Sequence, residues 1–98
     1  GYNAVQSLLY VGSSFLSSFR FGFMNETSNN LPSNATASAM KTILQDMEAI
    51  DIVEVSRETL SCIGCYMWNI TFISSGGKIP LLTVVSPEKN HYKHKKNI

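Results

Sequence analysis

Residues 66–85, YMWNITFISSGGKIPLLTVV, constrain the fold more tightly than any other stretch. The first half alternates strictly. Tyr66, Trp68, Ile70 and Phe72 fall on one face and Met67, Asn69, Thr71 and Ile73 on the other, which is the period of a half-buried strand. Tyr66, Trp68 and Phe72 are also the densest aromatic cluster in the chain. Ser74, Ser75, Gly76, Gly77 and Lys78 have turn composition, and residues 79–85 follow as a second strand with Pro80 near its start, where a missing N–H is tolerated. The expected spine of the fold is a hairpin of these two strands.

The remaining segments supply what such a hairpin needs to bury its apolar face. Residues 4–11, AVQSLLYV, are apolar enough for a strand. Residues 17–24 place Phe19, Phe21 and Phe23 on one face and Arg20, Gly22 and Met24 on the other. A helix would scatter the three Phe rings, whereas a strand aligns them opposite Trp68. After a polar loop, NETSNNLPSN, Thr36 is placed to cap a helix whose stripe is Met40, Ile43, Leu44, Met47 and Ile50, the two Met filling the core. Residues 52–57 return to strand alternation, with Val53 and Val55 on one face and Glu54 and Ser56 on the other. The order β-β-α-β-β-β predicts an α+β domain of two layers, with a mixed or antiparallel sheet of about five strands and one helix packed on one face.

A chain of 98 residues makes one domain with one core, burying roughly 60–70% of its unfolded surface. A net charge of +1 argues against nucleic acid as a partner. The charge is unevenly placed. Residues 1–86 carry Arg20, Lys41, Arg57 and Lys78 against Glu26, Asp46, Glu48, Asp51, Glu54 and Glu58, whereas residues 87–98 carry Lys89, Lys93, Lys95 and Lys96 against Glu88. The expected organisation is a single domain over 1–86 and a basic disordered tail or inter-domain linker over 87–98, which has neither periodicity nor enough apolar residues to fold. No apolar run reaches the 18 residues of a membrane span, and Gly1 opens without a signal-peptide pattern. The chain lacks an initiator Met and begins abruptly, so it reads as an excised domain of something longer.

Two motifs carry chemistry. Cys62 and Cys65 form a C-x-x-C, but it leads into a strand rather than a helix N-terminus, so the field that activates a redox thiolate is absent. A zinc site would have to borrow distant ligands such as His91 and His94. In an oxidising compartment the pair closes a short local disulfide worth about 2 kcal/mol. Three glycosylation sequons begin at Asn25, Asn34 and Asn69. Eight Asn in a chain rich in Ser and Thr make their number weak, but their placement in the loop and on the face opposite Trp68 leaves the core undisturbed by glycans. The His91, His94 and Lys tail supplies charge without shape, and a solvated linker accounts for it better than a metal or polyanion patch. Both histidines lie far from any structured Ser, and no Gly-rich loop cradles a phosphate, so the domain reads as non-enzymatic, with no cofactor.

Several of these segments together resemble a repeated ectodomain module of the fibrocystin and fibrocystin-like (polyductin) family. The resemblance runs through Val5-Gln6, Phe19-x-Phe21, Asn34-Ala35-Thr36, Val53-x-Val55-Ser56-Arg57 and Gly64. It continues through Tyr66-x-Trp68-x-Ile70-Thr71-Phe72 and Gly77-x-x-Pro80-Leu81-Leu82, covering nearly everything but the tail. Cys65 departs from it, standing where the pattern usually has Gly, and with Cys62 it implies a member-specific disulfide. The resemblance implies an extracellular building block of a large single-pass, receptor-like surface protein at an apical or ciliary membrane. Its partners would be neighbouring TIG/IPT-like modules and an unidentified protein ligand, with the membrane reached only through the parent protein. The competing expectation is an intracellular thiol-redox or zinc module using Cys62 and Cys65, and a third is polyanion binding through residues 87–98.

Overall fold

Seven or eight residues of continuous alternation are enough to define a long strand, and the three longest strands of this chain are neighbours. The computed structural model describes residues 4–11, 18–62, 64–73, 79–85 and 92–97, the last of these by backbone alone. In these residues β1 (Ala4–Tyr10), β5 (Ile52–Thr59) and β6 (Tyr66–Ile73) pair antiparallel with β6 in the middle. A fourth strand, β8 (Tyr92–Asn97), pairs with the other edge of β1, giving the order β5-β6-β1-β8. Ala4, Gln6, Leu8 and Tyr10 of β1, Val53 of β5, and Trp68, Ile70 and Phe72 of β6 are buried on the same face of this sheet.

That face is covered by two elements side by side. One is α1 (Ala37–Gln45), which packs on β5 and buries Met40 and Leu44. Thr36 caps it as expected, its hydroxyl accepting from the Ala39 N–H at 3.1 Å. The helix is held to the sheet at its far end by Gln45, whose Oε1 accepts from the Val53 N–H at 3.1 Å. The other element is a smaller sheet centred on β2 (Ser18–Phe23), which carries β3 (Glu26–Thr27) and β4 (Leu31–Pro32) and pairs with β7 (Thr83–Val85). Phe19, Phe21 and Phe23 face Trp68 and Phe72 as predicted. Phe19 lies 6.0 Å from Trp68, and Phe23 stacks on Phe72 at 6.1 Å and 16°. Helix and both sheets share one hydrophobic cluster.

The structure differs from the sequence expectations in three respects. The expected hairpin of residues 66–73 and 79–85 does not form, because both edges of β6 are taken by β1 and β5 in ladders of seven and eight residue pairs. β7 could offer only three pairs, and it makes them with β2 instead. The expected turn at residues 74–78 lies outside the described residues. Second, the five anticipated strands are divided between two sheets, and two short strands, β3 and β4, arise within the polar loop. Third, Tyr92–Asn97, expected to be part of a disordered tail, is a strand with Ser7 opposite Lys95 and Leu8 opposite His94. Ladder pairing uses backbone groups alone, and lysine is characteristic of sheet edges, so neither hydropathy nor periodicity marks such a strand.

In the smaller sheet Gly22 lies between Thr27 of β3 and Thr83 of β7. A Cβ at position 22 would come within 2.5 Å of Thr83 Oγ1, which donates to Gly22 O at 3.2 Å. Gly22→Ala is therefore expected to destabilise by about 1–3 kcal/mol, the range for overpacking. Thr83→Ala removes the opposing atom, so in that background the Gly22→Ala penalty should fall sharply. A double-mutant cycle by urea unfolding checks this, and additive penalties would show that the contact at Thr83 Oγ1 is not the cause.

Candidate functional site

The sequence-predicted residues fall in four places. Cys62 and Cys65 are joined by a disulfide within the connection from β5 to β6. The loop is a tight turn closed by Cys65 N–H donating to Cys62 O at 3.2 Å and Leu60 N–H donating to Cys65 O at 3.0 Å. Gly64 has φ 79°, a left-handed conformation that a Cβ would oppose. Cys65 is buried and Cys62 is exposed, and no helix begins at the pair. The bridge clips a hairpin end, and each sulfur is committed to the other.

The three sequon asparagines lie off the core. Asn25 is exposed in the two-residue turn between β2 and β3, where Met24 and Asn25 both have positive φ, 50° and 68°, as a tight hairpin turn requires. Asn34 is exposed just before the helix. Asn69 stands half-buried on the outer face of the main sheet, its Oδ1 accepting from Ser7 Oγ at 2.6 Å. Its strand neighbours on both sides are Ser7 and Ser56, so the side chains flanking it are small. His91 lies outside the described residues. Among the described residues no group of three or more His, Cys, Asp or Glu is placed to hold a metal ion, and no helix is long and apolar enough to cross a membrane.

Two polar anchors went unrecognised in the sequence. Gln6 is fully buried, and its side chain reaches the segment that leads into β7: Nε2 donates to Pro80 O at 2.8 Å and Oε1 accepts from the Leu82 N–H at 2.9 Å. A polar residue on the inward register of β1, between Ala4 and Leu8, was the available signal. The second anchor is the carbonyl of Ala35. Trp68 Nε1 donates to it at 2.9 Å, and Arg57 Nη1 donates to it at 3.2 Å and to Asn34 O at 2.8 Å. The Arg57 guanidinium also lies 4.5 Å from the centroid of the Tyr66 ring. Asn34-Ala35 is thus tied to β5 and β6 by backbone carbonyls, with Thr36 free to cap the helix.

A third feature lies on the outer side of the smaller sheet. An open groove of about 380 Å³ is lined by residues of the β2–β3 turn, including Asn25, and by Leu81, Thr83 and Val85.

No protein-family model, curated protein or solved structure matches this chain.

Proposed function

We propose that this chain is a non-enzymatic structural and interaction module of an extracellular, receptor-like surface protein of the fibrocystin-like kind. In this reading it holds neighbouring TIG/IPT-like modules at fixed geometry on the outer side of an apical or ciliary membrane. The observation that carries the reading is joint. All three sequon asparagines stand off the core, and the only two cysteines of the chain are bonded to each other. The motif residues behind the resemblance add support of a different kind, because they engage one another. Gln6 binds the backbone at Pro80 and Leu82, and Arg57 and Trp68 bind the backbone at Asn34 and Ala35. Residues that anchor backbone to backbone encode an architecture, which fits a spacer better than an active site.

Intact mass of the chain secreted from mammalian cells tests this. The expected result is a mass that falls on enzymatic deglycosylation and two thiols that alkylate only after reduction. An unmodified mass with two freely alkylating thiols would overturn the reading and favour the thiol or zinc module. Because the ring closed by Cys62 and Cys65 is short, reduction alone is expected to cost only about 2 kcal/mol and to leave the domain folded.

A further inference from the structure

Among the described residues five large apolar side chains are markedly exposed, and three of them share one groove: Met24 at 63%, Leu81 at 44% and Val85 at 53%. The groove runs over the smaller sheet at Gly22, which has no side chain to fill it, with Thr83 beside it in register. The lining mixes these apolar side chains with polar ones, so it suits a covering group that has both apolar faces and a polar rim.

The groove has a covering group of defined chemistry at its own rim. Asn25 and Thr27, the first and third residues of a sequon, both line it. The turn holding Asn25 has only two residues, both in left-handed backbone conformation, so the asparagine's backbone is fixed among the residues that line the groove. We propose that Asn25 is glycosylated and that the proximal N-acetylglucosamine units lie in this groove, covering Met24, Leu81 and Val85. The ring of such a sugar has apolar C–H faces and a polar rim, matching apolar walls with threonines between them. The bond formed joins the Asn25 amide nitrogen, which loses one proton, to the anomeric carbon of a lipid-diphosphate-linked oligosaccharide, from which lipid diphosphate departs. This inference rests on the extracellular reading above, because only the secretory route supplies that donor.

The test uses the chain secreted from mammalian cells, with glycopeptide mapping at Asn25, Asn34 and Asn69. Thr27→Val abolishes the first sequon while keeping Asn25 and a β-branched residue on β3, and Thr27→Ser retains the sequon as a control. The expected result is an occupied Asn25, with Thr27→Val raising binding of a hydrophobic fluorescent dye several-fold and promoting self-association in light scattering. Thr27→Ser should match the parent, and adding Met24→Ser and Leu81→Ser to Thr27→Val should return dye binding to the parent level. Glycan on Asn34 or Asn69 with none on Asn25 would overturn this inference and leave the extracellular reading standing. So would an occupied Asn25 whose loss leaves dye binding unchanged. No glycan at any of the three would overturn this inference, and two freely alkylating thiols beside it would overturn the extracellular reading as well.

Discussion

Gln6→Leu is expected to lower the unfolding free energy by about 1–3 kcal/mol, because it strips the buried Leu82 N–H of its partner. The same fully buried side chain also donates to the Pro80 carbonyl, whose residue is exposed, so that carbonyl can turn to water at little further cost. The added apolar surface of Leu offsets part of the loss. The consequence is also local. Residues 79–82 carry the chain from the main sheet to the smaller one, so the Leu82 amide should lose hydrogen-exchange protection ahead of β6. An unchanged Leu82 exchange rate would show that packing of the Leu82 side chain, rather than Gln6, holds the crossover.

Gln6→Glu sharpens the same prediction through pH. A carboxylate at this position accepts from Leu82 N–H but cannot donate to Pro80 O, and burial further disfavours its charge, so its folded pKa is expected to rise above the unfolded value of about 4.3. The folded state then binds more protons than the unfolded state above that value. Stability of the variant relative to the parent should therefore be greatest below about pH 4 and fall as pH rises through the folded pKa. Urea midpoints across that window check the sign, and a gap that narrows with rising pH would refute it.

Trp68→Ala should be the most damaging single truncation, at about 3–5 kcal/mol for loss of a large buried aromatic. A domain of this size has a total stability of about 5–15 kcal/mol, so the variant is expected to be marginally folded. Trp68 has no solvent exposure, packs on Phe19 and Tyr66, and donates to Ala35 O. Trp68→Phe separates packing from hydrogen bonding. It keeps most of the aromatic volume and leaves Ala35 O with Arg57 as remaining donor, so a loss of about 1–2 kcal/mol is expected. Adding Arg57→Ala removes both donors and should cost more than the sum of the two single changes. Additivity in urea unfolding would show that Ala35 O is not shared in the way the geometry indicates. Trp68 is the only tryptophan, so its emission reports unfolding of the parent at one defined core position, and circular dichroism serves the variants.

These anchors also bear on how the domain would serve as a spacer. Helix, main sheet and smaller sheet are joined through one core and by side chains that reach backbone, Gln6 to Leu82 and Trp68 to Ala35 across long sequence separations and Gln45 to Val53 across a short one. The exposed Lys41–Glu54 ion pair adds a further link from helix to β5, of the solvent-screened kind that contributes little.

Local periodicity and capping can be read from the residues alone. The alternation of β6, the aligned Phe rings of β2, the Val53 and Val55 face of β5, and the start of the helix at Thr36 appear where the pattern places them, although the helix ends at Gln45 and Met47 and Ile50 of its expected stripe are buried beyond it. Each depends on a residue and its near neighbours along the chain, so hydropathy and side-chain chemistry suffice to read it. The C-x-x-C was legible as a candidate short bridge, with thiol and zinc roles left open, and the structure joins the pair. Only the tertiary structure decided which strands pair. Residues 79–85 were next in sequence to β6, yet two longer ladders occupied both its edges and the chain crossed to β2. The groove beside Asn25 needed the same step, since Met24 and Val85 lie far apart in sequence and come to line one groove only when β7 takes its place beside β2. Strand partnership is a competition among edges for backbone hydrogen bonds, and backbone groups are the same in every residue, so the winner is written in the assembled fold and not in the pattern of any one segment.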